Sequence, residues 1–401
     1  MDSALQGSSD PALQLLPLVV HLVYRLDFGG LETVLAECVN RIPSTKYRHA
    51  IVCLTDYTAF ADKITQPGVQ IFALHKAPGL GLGTHAAFWK LMRQLRPTIL
   101  HTYNLSAIEY VFTATFAGVP VRIHAEHGRD LSDPEGKNRK HNMLRRLLIP
   151  FIDCFVPVSR DLRQWLTNAI GVPDAKNLLI NNGVDTEQFR AQPASSPTEA
   201  PAEFVVGTVG RIQDVKNQKG LVDAFARLLT LLPQERDKLR LHIVGDGPLM
   251  PQIRAQVEAA GIADRVWLAG ARTDIAELMR GFSVFALPSF AEGTPVTLLE
   301  AMASSLPVVS SRVGGIPEVV TDESGMLTAA TDIEAIATAL LQYRQQPELA
   351  ARHGAAGRRT IERHYSIAAM LTDYTRLYDT LSTAKAVAPS PARKKTPSCV
   401  E

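Results

Sequence analysis

Short apolar runs alternate with longer amphipathic stretches along most of this chain. In the first such unit, the segment from Leu18 to Val23 is apolar apart from one histidine, and the apolar residues from Leu31 to Ile42 recur at helical spacing. A continuous apolar run predicts a strand buried on both faces, and a helix after it predicts a crossover to a parallel neighbour. The pattern therefore predicts an α/β protein built on parallel sheets.

The alternation falls into two groups of strands. The predicted strands are 18–23, 49–55, 69–74, 98–102, 121–127 and 155–159 in the first half, and 204–210, 241–247, 266–270, 283–289 and 307–311 in the second. Between them, residues 189–203 include RAQPASSPTEAPA, which has almost nothing to bury and predicts a linker. We therefore expect two α/β domains at 17–188 and 204–365, and a helix at 366–382 that packs back on the first domain. We expect the polar ends, 1–16 and 383–401, to be disordered.

Length, charge and cysteine content limit the possible functions. A chain of 401 residues suits two domains that each bury a core, and a formal net charge of +2 argues against a protein that binds nucleic acid. No C-x-x-C pair suggests a zinc knot or a disulfide framework among Cys38, Cys53, Cys154 and Cys399. The N-terminal stretch lacks the pattern of a signal peptide, and no apolar run is long enough to span a bilayer. We therefore expect a cytoplasmic protein.

Several residues that suit an anionic ligand follow predicted strands, at the edge where parallel sheets bind ligands. Gly29 and Gly30 lie between the first strand and a helix, where backbone N–H groups and the helix dipole can meet a phosphate. Arg211 follows a strand of the second half, and Lys216 lies in the loop before the next helix. Fixed cations there would stabilise a departing pyrophosphate. Taken alone, a tight turn and a solvated loop explain these features equally well.

Two glutamates occur in the segment AEGTPVTLLEAMA. Glu292 lies in a loop after a predicted strand, and Glu300 lies in the helix that follows. If this helix begins near Pro295, Glu300 is on its second turn. The two carboxylates then hold different parts of one long ligand. Two unrelated surface glutamates are the alternative.

A histidine also lies at the predicted ligand-binding edge of the first sheet, and it does not indicate a metal site. His127 ends a predicted strand, next to Gly128, whereas His124 points to the opposite face of the same strand. A structural histidine is the alternative for His127. No Asp-x-Asp occurs in the chain, which removes the usual way of holding a divalent ion against a diphosphate. We therefore expect neither a metal nor a cofactor. Arg211 and Lys216 would neutralise the charge of the diphosphate instead.

Residues 137–150, KNRKHNMLRRLLIP, combine basic and apolar residues without an acid. This pattern predicts a basic amphipathic helix that rests on an anionic membrane surface. A solvated helix that packs its leucines on the domain is the alternative. The predicted membrane or acceptor surface consists of Lys137, Arg139, Lys140, Arg145 and Arg146.

In order and spacing, these motifs resemble glycosyltransferase family 4, the retaining transferases with the GT-B fold. The resemblance extends from about residue 17 to 381 and includes GDGP at 245–248 and LPS at 287–289. The stretches VYRLDFGGLE, ALHK, VRIHAEHGRD and NRKHNMLRRL also resemble a subgroup associated with exopolysaccharide and exosortase gene clusters. The family implies two Rossmann-like domains facing across a cleft, with the acceptor domain first and the nucleotide-sugar domain second.

The resemblance implies roles for the matching residues. The catalytic set is His127, Arg211, Lys216 and Glu292, and the donor-binding set is Gly29, Gly30, Arg211, Lys216, Glu292, Gly293, Thr294, Val296, Thr297 and Glu300. Glu292 would bind the donor sugar and Glu300 the ribose hydroxyls. One departure is Thr294-Pro295, which replaces the Phe-Gly pair of many members. Because Pro295 has no N–H, phosphate contacts there would fall to Val296 or Thr297.

The family thus implies a retaining, metal-independent enzyme that moves a hexose-type sugar from a nucleoside-diphosphate sugar to a glycan or lipid-linked acceptor. Its expected place is exopolysaccharide or cell-surface glycan synthesis, on the inner face of the plasma membrane. A sugar-nucleotide epimerase, a phosphorylase and a non-catalytic nucleotide-sugar binding module are the alternatives. A phosphorylase of this fold would need a lysine-bound pyridoxal phosphate, which nothing in the sequence indicates. A degenerate binding module would be expected to lack part of the set formed by His127, Lys216, Glu292 and Glu300.

Overall fold

The structure, a computed structural model, describes residues 16–79, 81–130, 133–191 and 203–387. These residues form two parallel six-stranded sheets with helices around them. Most of the two predicted disordered ends and most of the predicted linker lie outside the described residues. Phe189, the first residue of that linker, is buried in the core of the second domain, so the predicted linker begins too early.

The first sheet has the strand order β3-β2-β1-β4-β5-β6. Its strands are β1 (Leu18–Val23), β2 (Arg48–Cys53), β3 (Gln70–Ala73), β4 (Ile99–Tyr103), β5 (Val121–Glu126) and β6 (Cys154–Pro157). The α-helices of this domain are α1 (Gly30–Arg41), α2 (Leu82–Leu95), α3 (Asn104–Ile108), α4 (Tyr110–Ala117), α5 (Arg139–Leu148) and α6 (Arg160–Trp165), and a short 3-10 helix lies at Ala59–Lys63. Every residue of the central strand β1 is buried, because helices cover both faces of the sheet.

The second sheet has the order β12-β11-β10-β7-β8-β9. Its strands are β7 (Phe204–Val209), β8 (Leu239–Val244), β9 (Val266–Gly270), β10 (Val284–Leu287), β11 (Val308–Ser311) and β12 (Gly325–Thr328). Its helices are α7 (Gln218–Leu231), α8 (Met250–Ala259), α9 (Ile275–Arg280), α10 (Val296–Ala303), α11 (Ile316–Val319), α12 (Ile333–Gln345) and α13 (Pro347–His364). The sequence pattern missed β12, because this edge strand is short and mostly half-buried.

Each sheet reverses its strand order next to its first strand. In the first sheet the reversal separates β1 from β4, and in the second it separates β7 from β10. The connections on the two sides of such a point lead to opposite faces of the sheet, which opens a crevice at the carboxyl ends of the strands. The topology therefore predicts one ligand crevice in each domain, at the ends of β1 and β4 and of β7 and β10.

A last helix, α14 (Ile367–Val387), follows the second domain and packs on the first, as predicted. Ile367, Met370 and Tyr374 enter the core beside β1 and α1, and the Tyr378 hydroxyl lies 2.9 Å from Nδ1 of His101 on β4. The helix runs through Val387, so the predicted start of the disordered tail at 383 is too early.

Candidate functional site

A cavity of about 710 Å³ lies between the two domains, at the carboxyl ends of both sheets. It contains the crevices that the topology predicts, because residues after β1, β4, β7 and β10 all line it. The cavity brings together every residue of the predicted catalytic and donor-binding sets: Gly29, Gly30, His127, Arg211, Lys216, Glu292, Gly293, Thr294, Val296, Thr297 and Glu300. Gly29 and Glu300, which are 271 positions apart in sequence, thus meet around one ligand-sized space.

Two helix N-termini face each other at one end of this cavity. Helix α1 begins at Gly30 and α10 at Val296, and a methyl group added to Gly30 would lie 3.4 Å from the Val296 side chain. Neither helix has a side-chain cap. Among the described residues, none accepts a hydrogen bond from the N–H groups of Val296 and Thr297. Unpaired N–H groups and two positive dipole ends make this end of the cavity attractive to an anion such as a diphosphate.

Helix α10 begins immediately after Pro295, as the sequence predicted. Proline suits this boundary because its ring fixes φ and it has no N–H to leave unpaired. The first helical hydrogen bonds run from the N–H groups of Leu298 and Leu299 to the Pro295 carbonyl. Glu300 consequently lies on the second turn of α10, directed into the cavity, whereas Glu292 stays in the loop.

The two cations of the second domain differ in their surroundings. Lys216 ends a short turn after β7, and its Nζ lies 2.6 Å from Oε1 of Glu292. The Ser289 hydroxyl donates to the same carboxylate oxygen over 2.7 Å. The Arg211 guanidinium is exposed at the cavity and has no side-chain hydrogen bond to any described residue. Arg211 is therefore available to an anionic ligand, while Lys216 must share its charge with Glu292.

Glu32 is a cavity residue that the sequence analysis missed. It lies in the first turn of α1, and a methyl group added to Gly29 would collide with its carboxylate. Burial raises the pKa of Glu32 to about 7, against the opposing field of Arg211. The signal in the sequence is an acid in the first turn of a glycine-started helix, which is also ordinary helix chemistry. Glu32 thus places a titrating carboxyl beside the N-terminus that would meet phosphate.

Glu300 is buried in the cavity wall, and its carboxylate has no hydrogen bond to any described residue. Burial raises its pKa to about 7, with Lys63 lowering and Glu37 raising it further. Both of these residues belong to the first domain, so the first domain contributes charge beside Glu300. The Glu300 carboxyl therefore has no hydrogen-bond partner among the described residues. The paired hydroxyls of a ribose would supply such partners.

His127 reaches the cavity from the first domain. Its two ring nitrogens are buried without a hydrogen-bond partner among the described residues, and burial lowers the pKa of the imidazole to about 4. The ring is therefore neutral at pH 7. His124 is separate from it, buried inside the sheet and bonded to Thr102 and Glu126. The described residues contain no group of three or more potential metal ligands.

The structure corrects the predicted basic surface at one residue. Arg145 is buried, donates to Oε1 of Glu126 over 2.6 Å and stacks its guanidinium over Trp165 at 4.9 Å. It fastens α5 to the sheet and cannot meet a membrane. Arg139 and Lys140 are exposed, Lys137 pairs with Glu135, and Arg146 is exposed while donating to two main-chain carbonyls.

Contacts between the domains hold the cavity walls together. The Thr294 hydroxyl donates to the Val158 carbonyl over 2.7 Å, and Asn182 Nδ2 donates to the Thr294 carbonyl over 2.8 Å. Glu318 of α11 accepts from the N–H groups of Arg160 and Asp161 at the start of α6. Two Rossmann-like domains with a shared cavity at their facing strand ends form the architecture of the GT-B glycosyltransferases.

Comparisons with known proteins identify the family. A family model described as Glycosyltransferase Family 4 matches residues 28–188, and one described as Glycosyl transferases group 1 matches residues 203–346. The two models together cover both domains. The chain belongs to glycosyltransferase family 4, and it is a glycosyltransferase.

Individual proteins support this assignment. The chain is 28% identical over 361 residues to a putative glycosyltransferase, EpsF, of Bacillus subtilis, covering 85% of this chain and 88% of that protein. It is 25% identical over 350 residues to the Escherichia coli UDP-Gal:alpha-D-GlcNAc-diphosphoundecaprenol alpha-1,3-galactosyltransferase, covering 82% and 86%. The crystal structure of Anabaena Alr3699/HepE in complex with UDP and glucose aligns with a TM-score of 0.76 at 20% identity, covering 91% of this chain and 100% of that one. At this identity the likeness shows the fold.

Proposed function

We propose that this glycosyltransferase moves a hexose-type sugar from a nucleoside-diphosphate sugar to a glycan or lipid-linked acceptor, with retention at the anomeric carbon and without a metal. The observation that carries this proposal is the meeting of two helix N-termini, Arg211 and Lys216 around one end of the cavity. All of these groups attract anions, and they lie beside the two glutamates that suit a sugar and a ribose.

In this proposal the chain acts mainly by placing charge. The pyrophosphate gains negative charge as its bond to the sugar breaks, and the guanidinium of Arg211 and the ammonium of Lys216 stabilise that charge. Glu292 holds the sugar, and Glu300 accepts hydrogen bonds from the ribose. Neither carboxylate attacks the anomeric carbon. The acceptor hydroxyl enters on the same face as the departing phosphate oxygen, which takes up its proton.

Metal independence follows from the same groups, since they supply the neutralisation that a divalent ion provides elsewhere. Turnover should persist in EDTA, measured as nucleoside diphosphate released from UDP-, GDP- and ADP-sugars. UDP-sugars are tried first, because a relative uses UDP-Gal and a structural neighbour binds UDP with glucose. Loss of turnover in EDTA that magnesium or manganese restores would contradict metal independence. Recovery of an epimerised donor without released nucleotide would favour the epimerase.

We further propose exopolysaccharide or cell-surface glycan synthesis as the setting, at the inner face of the plasma membrane. A relative acts, by its name, on a diphosphoundecaprenol-linked sugar, which is a lipid-linked acceptor. The exposed Arg139, Lys140 and Arg146 beside the exposed apolar side chains of Met143 and Leu147 suit an anionic membrane surface. No helix in the described part of the chain is long and apolar enough to cross a membrane.

A further inference from the structure

Asn104 joins β4 to α3 with its backbone in the left-handed region, at φ 56°. Few non-glycine residues adopt this conformation, and asparagine does so more readily because its short polar side chain bonds to nearby backbone. Asn104 also lines the cavity. Such backbone conformations occur often at ligand sites, where they hold a functional group in place.

The left-handed turn directs the Asn104 side chain toward the neighbouring strand. Its Oδ1 accepts a hydrogen bond from the N–H of His127 over 2.8 Å. The paired register of β4 and β5 ends at Tyr103 and Ala125, and β5 itself ends at Glu126. The Asn104 side chain therefore supplies the hydrogen-bond acceptor that strand pairing no longer offers to His127. It holds the main chain in place one residue beyond the end of β5.

His127 depends on this main-chain contact because its side chain has no polar anchor of its own among the described residues. Both of its ring nitrogens lack a partner among the described residues, and the nearest aromatic ring, that of Tyr103, lies 5.7 Å away between centroids at a 45° tilt. Fixing the main chain at Cα is then the way to fix where the imidazole points. A neutral imidazole with two unpaired nitrogens can donate from one and accept at the other.

We propose that Asn104 is a positioning residue for sugar transfer, which holds the main chain of His127 so that the imidazole faces the reacting groups. The inference rests on the proposed function of the cavity. Asn104 itself is not assigned a contact with substrate. Its loss would misplace His127 while leaving the two helix N-termini and Arg211 of the diphosphate site in position.

Two substitutions separate this role from a general structural one. Asn104→Gly keeps the left-handed backbone and removes the acceptor, whereas Asn104→Asp keeps both the backbone preference and an oxygen acceptor. We expect Asn104→Gly to lower kcat by about tenfold to a hundredfold through misplacement of His127. KM for the donor should stay within about twofold, since binding of the diphosphate is unchanged. Asn104→Asp should recover most of kcat.

Amide hydrogen exchange at His127 gives a readout independent of turnover. Exchange of this N–H should be faster in Asn104→Gly than in the native protein and slow again in Asn104→Asp. Equal exchange in all three proteins, kcat of the glycine variant within twofold of the native value, or no recovery in the aspartate variant would each overturn the proposal. A native protein that releases no nucleotide from any donor would instead count against the proposed function, and the exchange rates would still decide the Asn104 contact.

Discussion

Lys216 Nζ and Glu292 Oε1 are 2.6 Å apart, so the cation proposed for the leaving group and the carboxylate proposed for the sugar form an ion pair in the cavity wall. The pair joins the loop after β7 to the loop after β10 at the switch point of the second sheet. A diphosphate that approaches Lys216 competes with Glu292 for the same charge. In the proposed function, binding of the nucleotide to Lys216 would therefore free the Glu292 carboxylate for the sugar.

Replacing Glu292 should separate nucleotide binding from turnover. Glu292→Ala releases Lys216, so we expect the affinity for free nucleoside diphosphate to be unchanged or up to about threefold tighter. Transfer should fall by about a hundredfold or more, because the sugar loses its anchor. Calorimetry with the nucleoside diphosphate and steady-state kinetics test both. Lys216→Ala is the matched variant, and it should weaken the nucleotide as well as turnover. Equal weakening of nucleotide binding in both variants would contradict the assignment.

Glu300 should make nucleoside binding depend on pH. The pKa of this carboxyl is about 7 in the folded protein, so its ionised fraction rises about tenfold between pH 6 and pH 8. Because the ionised form accepts from two ribose hydroxyls, the affinity for nucleoside diphosphate should rise over that range. Glu300→Gln cannot titrate and is the control for titration of the phosphate and of other groups. A ratio of native to Glu300→Gln affinity that does not change with pH would contradict the ribose contact.

Glu300→Ala should also weaken both the intact donor and the free nucleotide. A charged acceptor of this kind contributes about 1.5–3 kcal/mol, or about one to two decades in affinity. The same calorimetric titrations measure it.

Ionisation of Glu32 should weaken the binding of nucleoside diphosphate, whereas ionisation of Glu300 should strengthen it. Its pKa is about 7, above the ordinary value of 4.5, so the ionised form is disfavoured in the fold and costs stability as the pH rises through this interval. A diphosphate at the start of α1 disfavours the charge further. We expect Glu32→Gln to bind nucleoside diphosphate more tightly at pH 8, by about threefold to tenfold, and to melt at a higher temperature than the native protein at that pH.

One measurement tests both Glu32→Gln and Glu300→Gln. Calorimetry in buffers of different ionisation enthalpy gives the number of protons taken up or released when the nucleotide binds. Native protein should take up a proton at Glu32 and release one at Glu300 on binding. Glu32→Gln should therefore shift the count toward release, and Glu300→Gln toward uptake. A Glu32→Gln variant that binds more weakly than native at pH 8 would show that Glu32 supports the site rather than opposing phosphate.

The exposed basic residues of α5 should attach the protein to anionic membranes. Each basic residue near such a surface contributes about 1 kcal/mol, so Arg139→Ala with Lys140→Ala should lower binding to anionic vesicles by about thirtyfold. Flotation with anionic and neutral vesicles at two salt concentrations measures it, and salt should weaken the native binding. Lys238→Ala with Arg254→Ala removes the same charge from exposed positions of the second domain and is the control.

Equal binding to both kinds of vesicle, or an equal loss in the control pair, would contradict this attachment. Arg145 is left unchanged in this test, because breaking its buried pair with Glu126 would cost about 3–5 kcal/mol of stability.

The sequence determined the sheets and eleven of the residues that line the cavity. Strands covered on both faces need continuous apolar runs, and among the described residues those runs marked eleven of the twelve strands and missed β12 at an edge. Because parallel strands end at one edge, residues that follow them were expected to meet, and His127, Arg211 and Glu292 do line one cavity. Helix spacing placed Glu300 on the second turn of α10, since the rise of a helix is fixed.

Only the tertiary structure decided which charges pair. Nothing in the helical spacing of Arg145 distinguishes it from an exposed arginine. Its burial follows from its pairing with Glu126 on β5, and helical periodicity gives no information about that contact. The Lys216–Glu292 ion pair and the hydrogen bond from the His127 N–H to Asn104 likewise join segments that are far apart in sequence. Burial and electrostatic fields depend on distances through space, so sequence spacing does not reveal that burial raises the pKa values of Glu32 and Glu300 to about 7.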